Sequence, residues 1–163
     1  MAVETLTANT LVADSGTILS FSGGTFDIAD LRDNNQSTGL TIGANGSSID
    51  FSMSNPTFSN ITSATMKVAV TINGANTKNL ITITALDDNS IVGIIQGNQG
   101  TGTFSIDITS LGITRITNTN FRLSAAQAIT NISEVSITLT NAAKGGKVII
   151  NGRSHLKAGK LIL

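Results

Sequence analysis

Thr65-Met66-Lys67-Val68-Ala69-Val70-Thr71-Ile72 sets Met66, Val68, Val70 and Ile72 on one side of the chain and Thr65, Lys67, Ala69 and Thr71 on the other. A period of two over eight residues is satisfied by a half-buried β-strand and not by a helix, whose faces repeat every 3.6 residues. The same alternation recurs at Leu80 to Ala85, at Phe104 to Thr109 and at Val135 to Thr140. Weaker strand patterns lie at Thr17 to Ser22, Thr25 to Ile28, Leu40 to Ile42, Ser48 to Met53, Ile91 to Gln96, Ile113 to Thr117, Asn120 to Leu123 and Val148 to Ile150. Gly23-Gly24, Asn45-Gly46, Asn73-Gly74, Asp87-Asp88-Asn89 and Gly97-Asn98-Gln99-Gly100 separate them with residues that accept positive φ. The one proline, Pro56, falls between patterns, where no strand needs its missing N–H. The only helical suggestion is a turn or two at Leu123 to Ile129.

Strands at this spacing predict an all-β fold: an antiparallel jelly-roll or β-sandwich of about 8–10 strands. At 163 residues the chain is sized for one domain. Only 12% of its residues are charged, and Thr, Ser, Asn and Gly carry the polar positions, as expected of solvated strand faces and turns.

The formal charge of zero conceals an uneven distribution. The segment 142–163 contains Lys144, Lys147, Arg153, Lys157 and Lys160 and no acid, so it carries +5. The other five of the ten basic residues face all ten acids in 1–141, which are therefore net −5. Val148-Ile149-Ile150 and Leu161-Ile162-Leu163 make this segment too apolar for a solubilising extension. Its pattern is that of strands seeking an edge, with Lys and Arg suited to acidic grooves. The expected organisation is a β-sandwich over 1–141 and a basic C-terminal arm over 142–163, hinged at Gly145-Gly146, whose extended reach is on the order of 70 Å at about 3.3 Å per residue. Lys144, Lys147, Arg153, His155, Lys157, Lys160, Leu161, Ile162 and Leu163 are its expected contact residues.

Chemistry is poorly provided for. His155, the single histidine, has no carboxylate near it in sequence, and the chain lacks cysteine and tyrosine. Asp27, Asp30, Asp33 and Asp50 could serve as a glycosidase pair, but with no Trp or Tyr to hold a sugar ring they read better as turn and surface residues. Asp27, Asp30, Asp87 and Asp88 are weak candidates for a calcium site, and match no spaced loop motif. Gly97-Asn98-Gln99-Gly100-Thr101-Gly102 lacks the Lys-Ser/Thr of a phosphate loop and reads as a turn. Of the six phenylalanines, Phe51 and Phe104 sit in alternating strands, which favours core packing over ligand stacking. Without stacking residues the basic arm would bind nucleic acid only weakly and without sequence preference, so no nucleic-acid partner is expected. No cofactor and no enzymatic activity are expected. No apolar run approaches the roughly 20 residues of a membrane span, and Met1-Ala2-Val3-Glu4-Thr5 has no secretory character, which points to synthesis in a cytoplasm without membrane attachment.

The stretches Ser63 to Val70, Gly102 to Thr109 and Asn131 to Leu139 resemble the jelly-roll sandwich shared by carbohydrate-binding modules and by the capsid decoration, or cement, proteins of tailed bacteriophages. The resemblance covers about half the chain and rests on no diagnostic motif. The decoration branch implies a homotrimer seated on the major capsid protein lattice at the virion surface, with terminal arms clamping the shell. The carbohydrate-binding branch depends on stacking rings that this chain lacks. A lectin-like module and a tail or fibre component of a virion are the alternatives.

Overall fold

Met66, Val68 and Val70 are buried and Lys67 is exposed, so the alternation over 65–71 does place one face of a strand in a core, Ile72 lying outside the described residues. The computed structural model describes residues 1–12, 20–22, 28–33, 35, 39–41, 48–71, 79–96, 100–125 and 131–142. Ten strands lie within them: β1 (Ala2–Val12), β2 (Ser20–Ser22), β3 (Gly39–Thr41), β4 (Ser48–Met53), β5 (Ile61–Thr71), β6 (Asn79–Ala85), β7 (Ser90–Gln96), β8 (Gly102–Asp107), β9 (Phe121–Ala125) and β10 (Asn131–Asn141). Every pairing between them is antiparallel.

The pairings define two sheets. β3-β10-β5-β8 runs across one, extended by β2 beside β3, and β4-β9-β6-β7 runs across the other. From β3 onward the strands alternate between the sheets except at the β6–β7 hairpin, which gives the two four-stranded sheets the strand order of a jelly roll. β1 joins the sheets at one corner. Its first half pairs with β10, from Ala2 opposite Asn141 to Thr7 opposite Ser136, and its second half pairs with β4 after an irregularity between Ala8 and Thr10. Such a bulge lets one strand bend from one sheet into the next.

The opposite corner is closed by packing instead of hydrogen bonds. β7 and β8 lie against each other there, and the side chain of Ile106 sits over Gly93, where an added Cβ would meet Ile106 Cγ2 at 2.7 Å. Inside, Leu6, Ile49, Phe51, Met66, Val68, Ile81, Ile83, Ile95, Phe121, Leu123, Val135, Ile137 and Leu139 form one continuous core. Phe51 and Phe121 face each other across paired strands, ring centroids 6.1 Å apart and tilted by 31°. Phe104 is half-buried against the same core. Both aromatic assignments made from the strand pattern therefore hold.

One local expectation is overturned outright and two over the residues that are described. Ile113 to Thr117 is not a strand but part of a short helix, α1 (Gly112–Asn118), which follows a 3-10 turn at Thr109–Leu111. The apolar spacing there is Ile113 to Ile116, one helical turn, and the hydroxyl of Thr117 and amide of Asn118 donate to carbonyls three and four residues back. Leu123 to Ala125 belongs to β9, where buried Phe121 and Leu123 alternate with Arg122 and Ser124, so this part of the suggested helix is strand, while 126–129 lie outside the described residues. Ile28 lies in a 3-10 turn, Ile28–Leu31, that caps the sandwich with buried Leu31. The eleven-residue β1 carries too faint an alternation to be read from sequence, since Val3 points to solvent. The expected strand Val148 to Ile150 and the boundary between sandwich and arm lie outside the described residues.

Candidate functional site

The pairings place many connections at one end of the sandwich. β1 begins there, β10 ends there at Asn141, and the 54–60 loop leads there into Ile61, which is paired with Asn141. β8 also ends there, handing over to α1, while Leu86 N–H donates to Asn120 O at the turn between β6 and β7. Most of the site's polar chemistry is gathered on this face.

Arg115 of α1 organises one side of it. Its Nε donates to Asp87 Oδ2 at 2.6 Å, and its Nη2 donates to Asp87 Oδ1 at 2.8 Å, to Ser90 Oγ at 2.8 Å and to Asp88 Oδ1. The Asp87-Asp88-Asn89 turn is made possible by Asn89 at φ 59°, a left-handed conformation that Asn tolerates. Asp87 and Asp88, considered above as calcium ligands, are thus supplied with a guanidinium cation from the chain itself. Asp27 lies outside the described residues, and Asp30 lies in the 3-10 turn Ile28–Leu31. Among the described residues no cluster of three or more acidic or histidine side chains is placed to hold a metal ion.

The guanidinium of Arg115 holds the Asp87 carboxyl down, from the usual 3.8 to about 2, with a smaller contribution from the Thr119 hydroxyl. Asp88 is lowered chiefly by its hydrogen bonds from Ser90, and Asp107 by those from Thr109. Because the folded pKa of Asp87 lies below its unfolded value, the Arg115 contact stabilises fully above about pH 4 and fades as pH falls toward 2. Arg115→Gln should therefore melt at a lower temperature than the parent at pH 6, with the gap shrinking steadily between pH 4 and pH 2. A pH-independent gap in thermal melts would show that this ion pair contributes nothing to stability.

Asp50 occupies an unexpected position. It sits within β4 at 4% exposure, and Arg122 of the neighbouring β9 reaches both of its oxygens, Nε to Oδ1 and Nη2 to Oδ2, each at 2.7 Å. This corrects the surface reading of Asp50, which is an interior residue with a bidentate partner. Asp33 does behave as a turn residue, accepting the Asn35 N–H at 2.9 Å.

Across the same end runs a groove of about 810 Å³ between the 55–60 loop and α1. Asn55, Phe58, Asn60, Thr114 and Asn118 line it, no charged side chain among the described residues does, and Asn141 and Ala142 form part of its wall. The Glu4 carboxylate tethers the loop, accepting the Thr57 N–H at 2.8 and 2.9 Å. The chain continues toward its basic segment from this wall. Lys144, Lys147, Arg153, His155, Lys157, Lys160 and the run Leu161, Ile162, Leu163, the contact residues expected from sequence, lie outside the described residues.

Sequence reasoning missed the groove and, although it read Ile91 to Gln96 as a strand, did not place that strand at a sheet edge. β7 pairs only with β6 among the described residues, and exposes Ile91 and Ile94. An available signal was Ser90-Ile91-Val92-Gly93-Ile94-Ile95-Gln96 itself, an apolar strand without the charge or proline that usually guards an edge. No known protein-family model, curated protein or solved structure matches the chain.

Proposed function

We propose that the protein is a structural component of a virion: a decoration protein that docks on the major capsid protein lattice and stabilises the shell from outside. The observation that carries this reading is the delivery of the charged segment. β10, held between β5 and β1, ends in the groove wall, so the net −5 stretch 1–141 passes into the +5, apolar-ended sequence 142–163 at one defined face. A rigid body with a cationic tether suits gripping a large partner, and binding that buries enough surface raises the partner's stability by mass action. Arg115 pairs with Asp87 and Asp88, and Arg122 pairs with Asp50.

The reading predicts that the full chain co-sediments with capsid-sized particles in a density gradient of the producing cells' lysate. Deleting residues 143–163 should reduce retention on purified particles by about 100-fold, the loss of several ion pairs and two apolar anchors. Retention unchanged by the deletion would remove the segment from the function. Co-sedimentation with tails or fibres instead of shells would favour the same fold in that position.

The groove supports one second reading, a carbohydrate-binding module. Its amide and hydroxyl lining around half-buried Phe58 suits a neutral, hydroxyl-rich ligand. Binding on a glycan array, abolished by Asn118→Ala, would favour it over the shell.

A further inference from the structure

We propose that the groove between the 55–60 loop and α1 recognises an N-acetylated amino sugar, holding its acetamido group between Asn118 and Asn141. This rests on the carbohydrate reading of the groove and deepens it by naming the chemical group that is read.

Two asparagines set the pattern. Asn118 Nδ2 donates to Thr114 O at 2.7 Å, and because a carbonyl only accepts, the amide is fixed with Oδ1 as its unspent end. Asn141 is fixed the other way round. Its Oδ1 accepts the Ala2 N–H at 3.0 Å, which leaves Nδ2 unspent. Neither Asn118 Oδ1 nor Asn141 Nδ2 has a partner among the described residues. Both side chains line the groove, one from α1 and the other from the end of β10. One wall therefore offers an acceptor and another a donor. A trans secondary amide is planar and carries its N–H and C=O on opposite sides, so a single acetamido group can meet both.

The surroundings select the rest of the ligand. Phe58 and Ile113 line the same groove and pack half-buried on the core, which leaves an apolar floor for the acetyl methyl. Asn55, Asn60 and Thr114 are exposed along it and bring amides and a hydroxyl suited to ring hydroxyls. No charged side chain among the described residues lines it, so a neutral sugar fits better than one bearing an ammonium or a carboxylate. Its volume of about 810 Å³ lies within the range of small-molecule sites, roughly 300–1,000 Å³. An extended peptide would present a donor and an acceptor at every residue, whereas the fixed pair occurs once.

Titration calorimetry of the full chain with triacetylchitotriose, chitotriose and cellotriose compares ligands that differ only in the substituent on the second ring carbon. Triacetylchitotriose is expected to bind about tenfold more tightly than either of the others, the worth of one or two hydrogen bonds. Asn141→Asp keeps the acceptor that holds the Ala2 N–H and replaces the donor by a second acceptor. It should abolish the preference while melting near the parent. The ligand comparison on the unaltered protein stands apart from how that variant folds. Equal binding of triacetylchitotriose and cellotriose would overturn the inference and leave the carbohydrate reading in place, whereas binding of none of the three would end both. A preference kept intact by a folded Asn141→Asp protein would remove the amide pair from the account. Tighter binding of an uncharged, acetylated and amidated tripeptide would overturn the inference in favour of a peptide groove.

Discussion

Replacing Arg122 by leucine is expected to destabilise the sandwich by about 3–5 kcal/mol, because it strands a buried carboxylate without its countercharge. Asp50 lies in β4, flanked by buried Ile49 and Phe51, and both of its oxygens are occupied by Arg122 at 2.7 Å. Arg122 itself is 35% exposed at its side chain, so the cost comes from what it leaves behind and not from its own burial. At this chain length a 3 kcal/mol loss lowers the melting temperature by roughly 6–12 °C. The double variant Asp50→Leu/Arg122→Leu should recover most of the loss, since exchanging a buried pair for apolar side chains is often close to neutral. Thermal and urea unfolding of the two variants separate these outcomes. A single variant that melts like the parent would mean that water reaches Asp50 and that the pair is dispensable.

Phe121→Ala is expected to cost about 3–5 kcal/mol, comparable to the loss of the ion pair but for an unrelated reason. Phe121 is fully buried, stands directly opposite Phe51 in the β4–β9 pairing and directly opposite Ala85 in the β9–β6 pairing. Its ring therefore fills the space between three strands, and a small neighbour such as Ala85 cannot expand into the void. Phe121→Leu should cost less than half as much, because most of the volume is retained. Urea midpoints for the two variants test this. Equal losses would indicate that the aromatic contact with Phe51, and not filled volume, holds this layer together.

What sequence could and could not disclose follows from the physics of each element. β5 and β10 were legible because they lie in the middle of a sheet with one face on the core, so buried Met66 and Val68 are separated by exposed Lys67, and buried Val135 and Ile137 by Ser136. β1 was hidden because it changes sheets at the Ala8–Thr10 irregularity, so no single face stays buried along its length. α1 was mistaken for a strand because seven residues hold barely two turns, too few for a 3.6-residue period to outweigh isoleucines that also suit strands. The order of strands that makes the sandwich a jelly roll depends on long-range pairing, which local pattern does not encode.

The site shows the same division. The opposition of charge between 1–141 and 142–163 could be counted directly. The partnership of Asp50 with Arg122 joins residues 72 positions apart, and that of Arg115 with Asp87 joins residues 28 apart, so neither could be read from spacing. Asp87 and Asp88 look alike in sequence to calcium-loop acids, and only the arrival of Arg115 from α1 distinguishes them. The β7 edge is legible in composition, yet its position as the last strand of its sheet is a fact of topology.

The central claim is that the segment after Ala142 gains its order from another molecule, and amide hydrogen exchange across residues 143–163 measures this directly. In dilute, monomeric protein these amides should exchange at rates close to those of an unstructured peptide. On purified particles, exchange at 147–151 and at 161–163 should slow by about 100-fold or more, the signature of hydrogen bonds acquired on binding. Strong protection already present in the monomer, unchanged by any partner, would contradict the account.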